Sequence, residues 1–311
     1  MWNKWFAALL IILAIVSLST LLRGPPTTRT EDHTNGATTA SAAPMRIVSM
    51  APSITEVLFA LGQVERVVGV TQYCNYPPSA LKLPRIGGFN DINYEVVVSL
   101  RPDLVVVLPS HRDARENLAR LNIATHTVDQ TTVENILQSI TVLGELCDAS
   151  QRAAKLTSEL QSQIDFIRSR IVNEARPRTL VCVDRDRSSN AFNEVFIASG
   201  DGFYPDLLEI AGGVNAFQTD VPIKFPSLSR EAILRLKPEV IFELVPELAR
   251  KGWNVEDLRT HWDTLTSVDA VKNQRVHVLA GHHVSVPGPR ITILLKAFAS
   301  ALHPEVDFSS P

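Results

Sequence analysis

The chain has 311 residues, 45% of them hydrophobic and 20% charged, with a net charge of −3. That composition is globular, and the length is enough for two domains of common size. No Lys/Arg cluster is interleaved with aromatics, which argues against nucleic acid as a partner.

The N-terminus stands apart. Residues 5–22 form an apolar run without charge, between Lys4 and Arg23. Such a run sits at the lower limit for a membrane span and above a usual signal core. No Cys follows it, so no lipid-attachment signal is present; Ala40-Ser41-Ala42, which resembles a cleavage site, lies too far downstream. Residues 1–24 therefore read as an uncleaved membrane anchor in preference to a cleaved signal. Residues 25–44, "PPTTRTEDHTNGATTASAAP", cannot bury a core and read as a flexible tether. A soluble body held at a membrane surface is the expectation. Cys74, Cys147 and Cys182 lie far apart, which gives no metal spacing and leaves at most one bridge open.

From residue 45 onward, strands alternate with helices. Short β-branched runs occur at 46–50, 67–70, 104–108 and 125–128, and again at 179–183, 240–244 and 276–279. This is the pattern of α/β folds with largely parallel, doubly covered strands. Residues 93–108, "NYEVVVSLRPDLVVVL", align without gaps to 229–244, "SREAILRLKPEVIFEL". Each copy reads as a helix, a basic-Pro-acidic turn and a buried strand. The Pro stops the helix and favours an extended residue before it. One copy per half predicts two similar α/β lobes, at 45–149 and 177–305, with a tail at 306–311. Between them, Leu156, Leu160, Ile164, Ile167 and Ile171 recur at helical spacing. The stripe predicts a connecting helix over 150–176, long enough to join the lobes.

No nucleophile elbow, phosphate loop, dinucleotide fingerprint or zincin motif is present. No catalytic site is assigned by motif, and the choice between a binding protein and an enzyme stays open on motifs alone. Ser53 and Glu56 are spaced as a capping box, and Glu231 follows Ser229 at another predicted helix start. Capping alone accounts for both carboxylates. His282 and His283 lie in "AGHHVSVPGPR" (280–290), a Gly/Pro-rich loop after a strand, where open α/β lobes carry sites. Tyr73, Tyr76, Phe89, Phe203, Tyr204 and Phe225 also fall in predicted loops or loop ends and would suit a cleft that grips a flat, partly apolar molecule.

The runs "RIVSMAPSITEVLFALG", "VVGVTQYCNYPP", "LPRIGGF", "LRPDLVVV", "DLLEIAGGVNAF", "LSREAILRLKPEVI" and "PGPRI" occur in this order over nearly the whole body. Together they resemble periplasmic binding proteins of the helical-backbone class, which serve ABC importers of cobalamin, iron-siderophores and haem; the cobalamin-binding type is the nearest match. The resemblance implies two Rossmann-like lobes joined by one backbone helix, with the ligand cleft between them. It implies a monomer outside the cytoplasm, here tethered to the inner membrane, that hands a metal chelate to a permease and its ATPase. The chelate, a cobalt corrinoid by this resemblance, is cargo, and no cofactor of the protein's own is implied.

By motif position, the resemblance makes Tyr73, Phe89, Phe225 and His282 ligand contacts. The turn at Pro52 and Ser53 is expected to line the cleft beside them. Glu56 and Glu231 become the carboxylates that dock on permease arginines, with Glu95, the repeat partner of Glu231, as the competing candidate. Cobalamin binders often carry Trp where this chain has Phe89 and Phe225, so a ferric siderophore or haem is the alternative ligand. His282 is a candidate axial ligand to the chelated metal. An anionic siderophore would call for cationic residues in the cleft, and the candidates are Arg85, Lys224 and Arg290. A tethered sensor or a chelate-processing enzyme is the rival from another class, and for acid-base chemistry it would have to use His282 and His283.

Overall fold

A computed structural model of the chain describes residues 43–187, 194–221 and 223–309. The apolar run at 5–22 lies outside the described residues. Among those described, no helix is long and apolar enough to cross a membrane.

The first lobe contains strands β1 (Ile47–Ser49), β2 (Val67–Val70), β3 (Leu104–Val107) and β4 (Thr125–Thr127). Helices α1 (Pro52–Ala60), α2 (Tyr94–Ser99), α3 (Arg112–Arg120) and α4 (Val133–Leu146) connect or follow them. The sheet order is β2-β1-β3-β4, and all pairs are parallel. β1 and β3 are central and wholly buried. Helices cover both faces of such a sheet, so its inner strands carry continuous apolar runs and no alternation.

Helix α5 (Ser150–Arg170) follows directly. Its 21 residues span roughly 32 Å at about 1.5 Å per residue. Ala153 and Leu160 are buried in the core of the first lobe, and Leu156 packs beside them. Ile164 and Ile167 are buried in the core of the second lobe, and Ile171 packs beside those. One apolar stripe thus belongs to two cores in succession, which makes α5 a rigid beam between the lobes. It stops short of the expected end, with Ile171 as its C-cap.

The second lobe holds β5 (Arg178–Arg185), β6 (Val195–Ile197), α6 (Phe203–Ile210), β7 (Val214–Asn215) and β8 (Ser227–Leu228). These are followed by α7 (Arg230–Leu236), β9 (Val240–Val245), α8 (Val255–Thr260), β10 (Val276–Ala280) and α9 (Ile291–Leu302). β10, β9 and β5 run parallel, and β7 adds in parallel to β5. β6 and β8 extend the sheet antiparallel. That antiparallel edge was not foreseen, because β6 and β8 are two or three residues long and too short for a readable period.

The quasi-repeat takes the same form in both lobes. Asn93 caps α2 by accepting the Val96 N–H, and Ser229 caps α7 by accepting the Ala232 N–H. The residue before each Pro is not extended, as the sequence had suggested. Arg101 and Lys237 have φ of 45° and 48°. Each N–H turns back to its own helix, to Val98 and Ile233 respectively, and that closure of the last turn requires the left-handed residue.

The cysteines form no bridge. Cys74, Cys147 and Cys182 are all buried as free thiols.

Candidate ligand cleft and the ion pair beside it

α1 begins two residues earlier than a capping box would place it. Ala51 is the N-cap in extended conformation, and Pro52 takes the first helical position, where its fixed φ fits and its missing N–H costs nothing. Ser53 therefore lies inside the helix and is buried, and the capping-box reading of Ser53 and Glu56 does not hold.

Glu56 is not an outward peg either. It is 4% exposed and bound to a residue of the other lobe. Arg290 donates from Nε to Oε2 at 2.8 Å and from Nη2 to Oε1 at 2.5 Å. The guanidinium also lies 3.8 Å from the ring centroid of Tyr76. Arg290 is thus held between a carboxylate and an aromatic face, both from the first lobe. The loop before it is pressed close, for a Cβ built on Gly288 would lie 3.5 Å from Ser53 Cα. Elsewhere along the seam, Asp206 at the start of α6 accepts the Val133 N–H of α4 at 3.0 Å.

Burial pushes the Glu56 carboxyl above its ordinary range, and Arg290 and His282 oppose that shift. A raised folded value means that the folded protein takes up the proton first. The contribution of Glu56 to stability therefore rises as pH falls through that value, while its bond to Arg290 weakens. Truncating the partner from one side, Arg290→Ala, should cost about 3 kcal/mol in urea unfolding, at the low end for broken buried pairs because Arg290 keeps some solvent contact. Glu56→Gln should cost less and should flatten the pH dependence between wild-type and variant stabilities. A loss below about 1 kcal/mol in Arg290→Ala would mean that the pair does not hold the lobes.

Beside this ion pair is an interlobe cavity of about 160 Å³. Pro52, Ser53, Tyr73, Phe89 and Leu108 wall it from the first lobe, and Ser285, Val286 and Pro287 from the second. Four predicted contacts, Pro52, Ser53, Tyr73 and Phe89, are therefore brought together. Tyr73 and Phe89 are 51% and 44% exposed, so each presents a ring to the solvent at the mouth as well. Two predicted contacts are not part of this wall. Phe225 is exposed and meets Tyr204 edge-on at 6.4 Å. His282 starts the 3-10 turn His282–Ser285 and is half-buried near Glu56. It was the resemblance that made His282 a ligand contact, and the structure sets it in the loop that also carries Ser285, Val286 and Pro287 of the cavity wall.

Of the three candidate cations of the cleft, two are occupied, and Lys224 is exposed. Arg85 donates to the carbonyls of Thr71 and Cys74, and Arg290 is committed to Glu56. Cys74 lies between the Thr55 and Thr71 hydroxyls, and burial raises its thiol pKa, which disfavours the thiolate a metal would need. Among the described residues, no group of His, Cys, Asp and Glu forms a metal site.

Glu95 in α2 and Glu231 in α7 are both exposed at helix starts. They occupy matching places in the quasi-repeat, after Asn93 and Ser229. The Glu231 carboxyl is held below its usual range by its own N–H and by Ser229. At the ends of β5 and β9 the second lobe buries a carboxylate that the sequence reading passed over as a strand residue. Glu243, fully buried, accepts from Arg185 Nε at 2.9 Å, Arg187 Nε at 2.9 Å and Trp262 Nε1 at 2.6 Å. The available signal was an acidic residue inside the apolar run "VIFEL", which needs a partner to be buried.

Two α/β lobes, a beam helix and a cleft between them define a two-lobed ligand-binding receptor. The family model described as "Periplasmic binding protein" matches residues 47–281, and the chain belongs to that family. A vitamin B12-binding protein of Photorhabdus laumondii is 30% identical over 203 residues, 64% of this chain and 70% of that one. An uncharacterised ABC transporter substrate-binding lipoprotein of Bacillus subtilis is 29% identical over 286 residues, 88% of this chain and 85% of that one. The fold also matches a periplasmic heme-binding protein of Pseudomonas aeruginosa, with TM-score 0.70, 22% identity, and 85% and 94% of the two chains covered. The protein is a substrate-binding protein of the ABC-transporter type, in the class whose members take B12, haem or iron chelates.

Proposed function

We propose that this chain is the receptor of an importer for a corrinoid, held at the outer face of the membrane by residues 1–24. It would capture its ligand in the interlobe cleft and present it to a permease. The observation that carries this reading is the convergence of Pro52, Tyr73, Phe89 and Leu108 with Val286 and Pro287 on one apolar cavity. At about 160 Å³ the cavity is smaller than the usual pocket for a small molecule. A macrocycle would therefore lie against the exposed rings of Tyr73 and Phe89 and send one edge inward.

The engagement of Arg85 and Arg290 by protein groups argues against an anionic siderophore, whose charge would need free cations. Docking is assigned to Glu95 and Glu231, one on each lobe, in place of Glu56 and Glu231. An arginine fork on the permease matches a carboxylate held at a helix start.

Calorimetric titration of residues 43–311 with cobalamin, cobinamide, haem and a ferric siderophore tests the ligand. Micromolar or tighter binding of a corrinoid, with haem and siderophore weaker by tenfold or more, is expected. Preference for haem would move the assignment to a haem receptor, and failure of all four would overturn the reading.

A further inference from the structure

The second lobe walls the interlobe cavity with a single segment, residues 284–290, and both of its ends are pinned. At one end the buried Tyr204 donates its hydroxyl to the Val284 carbonyl at 2.9 Å, which ties the segment to its own lobe. At the other end Arg290, the N-cap of α9, is bound through two donors to Glu56 of the first lobe. The bonds between these ends are local turns: Val286 N–H to the His283 carbonyl, Gly288 N–H to Val286 and Ile291 N–H to Gly288. The segment also lies against α1, since a Cβ built on Gly288 would be 3.5 Å from the Ser53 carbonyl oxygen and 3.6 Å from Glu56 Oε2.

The ion pair and the cavity share their supports. Pro52 and Ser53 wall the cavity from the first lobe, and Glu56 lies one turn further along the same helix. Ser285, Val286 and Pro287 wall it from the second lobe, and Arg290 ends the same short segment. The approach of Arg290 to Glu56 therefore sets how closely the two walls approach. A bidentate guanidinium–carboxylate pair fixes orientation as well as distance. The Tyr76 ring packs on the same guanidinium at 3.8 Å, so the first lobe holds Arg290 twice.

Loss of this pair does not part the lobes. α5 stays buried in both cores, and Asp206 still accepts the Val133 N–H. What is lost is the register of one cleft wall against the other.

We propose that Glu56 and Arg290 are positioning residues of the ligand site: their ion pair clamps the segment 284–290 on α1 and so sets the width of the cleft that receives the chelate. The proposal rests on the interlobe cleft being the ligand site. The clamp is already closed in the ligand-free chain, so it preorganises the walls, and its loss is felt mainly in the rate at which ligand leaves.

The width is measured without ligand, in the full chain in detergent, as the distance between nitroxide labels on Leu121→Cys and Val255→Cys. Both positions are exposed, one on each lobe, and the native cysteines are buried. With Arg290 intact the distribution should be narrow, and Arg290→Ala should shift or broaden it by about 2 Å or more. Arg290→Lys keeps the charge without the fork and should fall between the two. Dissociation of cobinamide, followed by stopped flow, should become about tenfold faster in Arg290→Ala, with association nearly unchanged. Arg290→Gln takes the place of Arg290→Ala if circular dichroism shows that the latter is unfolded. A pair that only stabilises the fold would leave distance and dissociation rate at wild-type values in every folded variant, and that result would overturn the clamp. A changed distance without faster dissociation would overturn it as well, because the width would then not matter to the ligand. If the wild type binds haem in place of cobinamide, the same rates are read with haem. If it binds neither, nor cobalamin nor a ferric siderophore, the receptor reading falls, and the distance in Arg290→Ala by itself decides whether the pair sets the spacing of the lobes.

Discussion

Glu243→Ala should destabilise the protein by about 3–5 kcal/mol, measured by urea unfolding of residues 43–311. That is a large fraction of the whole stability of a typical folded protein. The reason is the number of groups that rely on one carboxylate. The Arg185 and Arg187 side chains are 3% and 6% exposed, and both donate to Glu243. Trp262, fully buried, donates its indole N–H to the same carboxylate. Removal of Glu243 leaves two desolvated guanidinium groups without this anion and a buried donor without this acceptor. Arg187 keeps Asp184 at 2.8 Å, but that carboxylate is 68% exposed and screened. Glu243→Gln retains acceptor capacity and loses charge, so it should fall between wild type and Ala. A loss under about 1 kcal/mol in the Ala variant would show that the cluster is not a keystone of the second lobe.

The second large effect concerns coupling, not folding. Glu95→Arg combined with Glu231→Arg should reduce binding to the cognate permease by a hundredfold or more and abolish stimulation of its ATPase. Ligand affinity should be unchanged. Both residues stand exposed in the first turn of helices that repeat each other, one on each lobe. Reversal at both positions would replace two carboxylate–arginine pairs with like-charge contacts. Each single variant should lose part of the effect. Glu56→Gln should leave permease binding intact, because its carboxylate faces Arg290 and not the solvent. Undiminished permease binding by the double variant would refute the docking assignment.

The Glu56 result explains where sequence reasoning is weak. The residue types around it are compatible with a cap, a docking peg or a buried ion pair, and spacing within one helix cannot separate them. Arg290 lies 234 residues away in sequence. A contact at that separation leaves no periodicity to read. The same holds for Glu243, whose partners Arg185 and Arg187 lie 58 and 56 residues earlier, at the end of the neighbouring strand β5 and just beyond it.

Elements with a period were legible. Buried parallel strands appear as short β-branched runs because both faces are covered. The beam helix appears as one apolar stripe because a single face of α5 serves both cores. The two lobes appear as a quasi-repeat because each needs a capped helix, a left-handed joint and a buried strand. The antiparallel edge of the second lobe, formed by strands two or three residues long, had too few residues to carry a pattern.

By itself, the sequence determined the α/β class, the two lobes, the helix between them and the family motifs that lead to a ligand cleft. These depend on local propensity and hydrophobic period, which are written along the chain. Only the tertiary structure decided which carboxylates face outward and which are buried. It also decided which aromatics share a wall and which cations are already engaged. Those outcomes depend on pairs of side chains distant in sequence, and burial turns such a pair from optional to obligatory because an unpaired charge in the interior is too costly to keep.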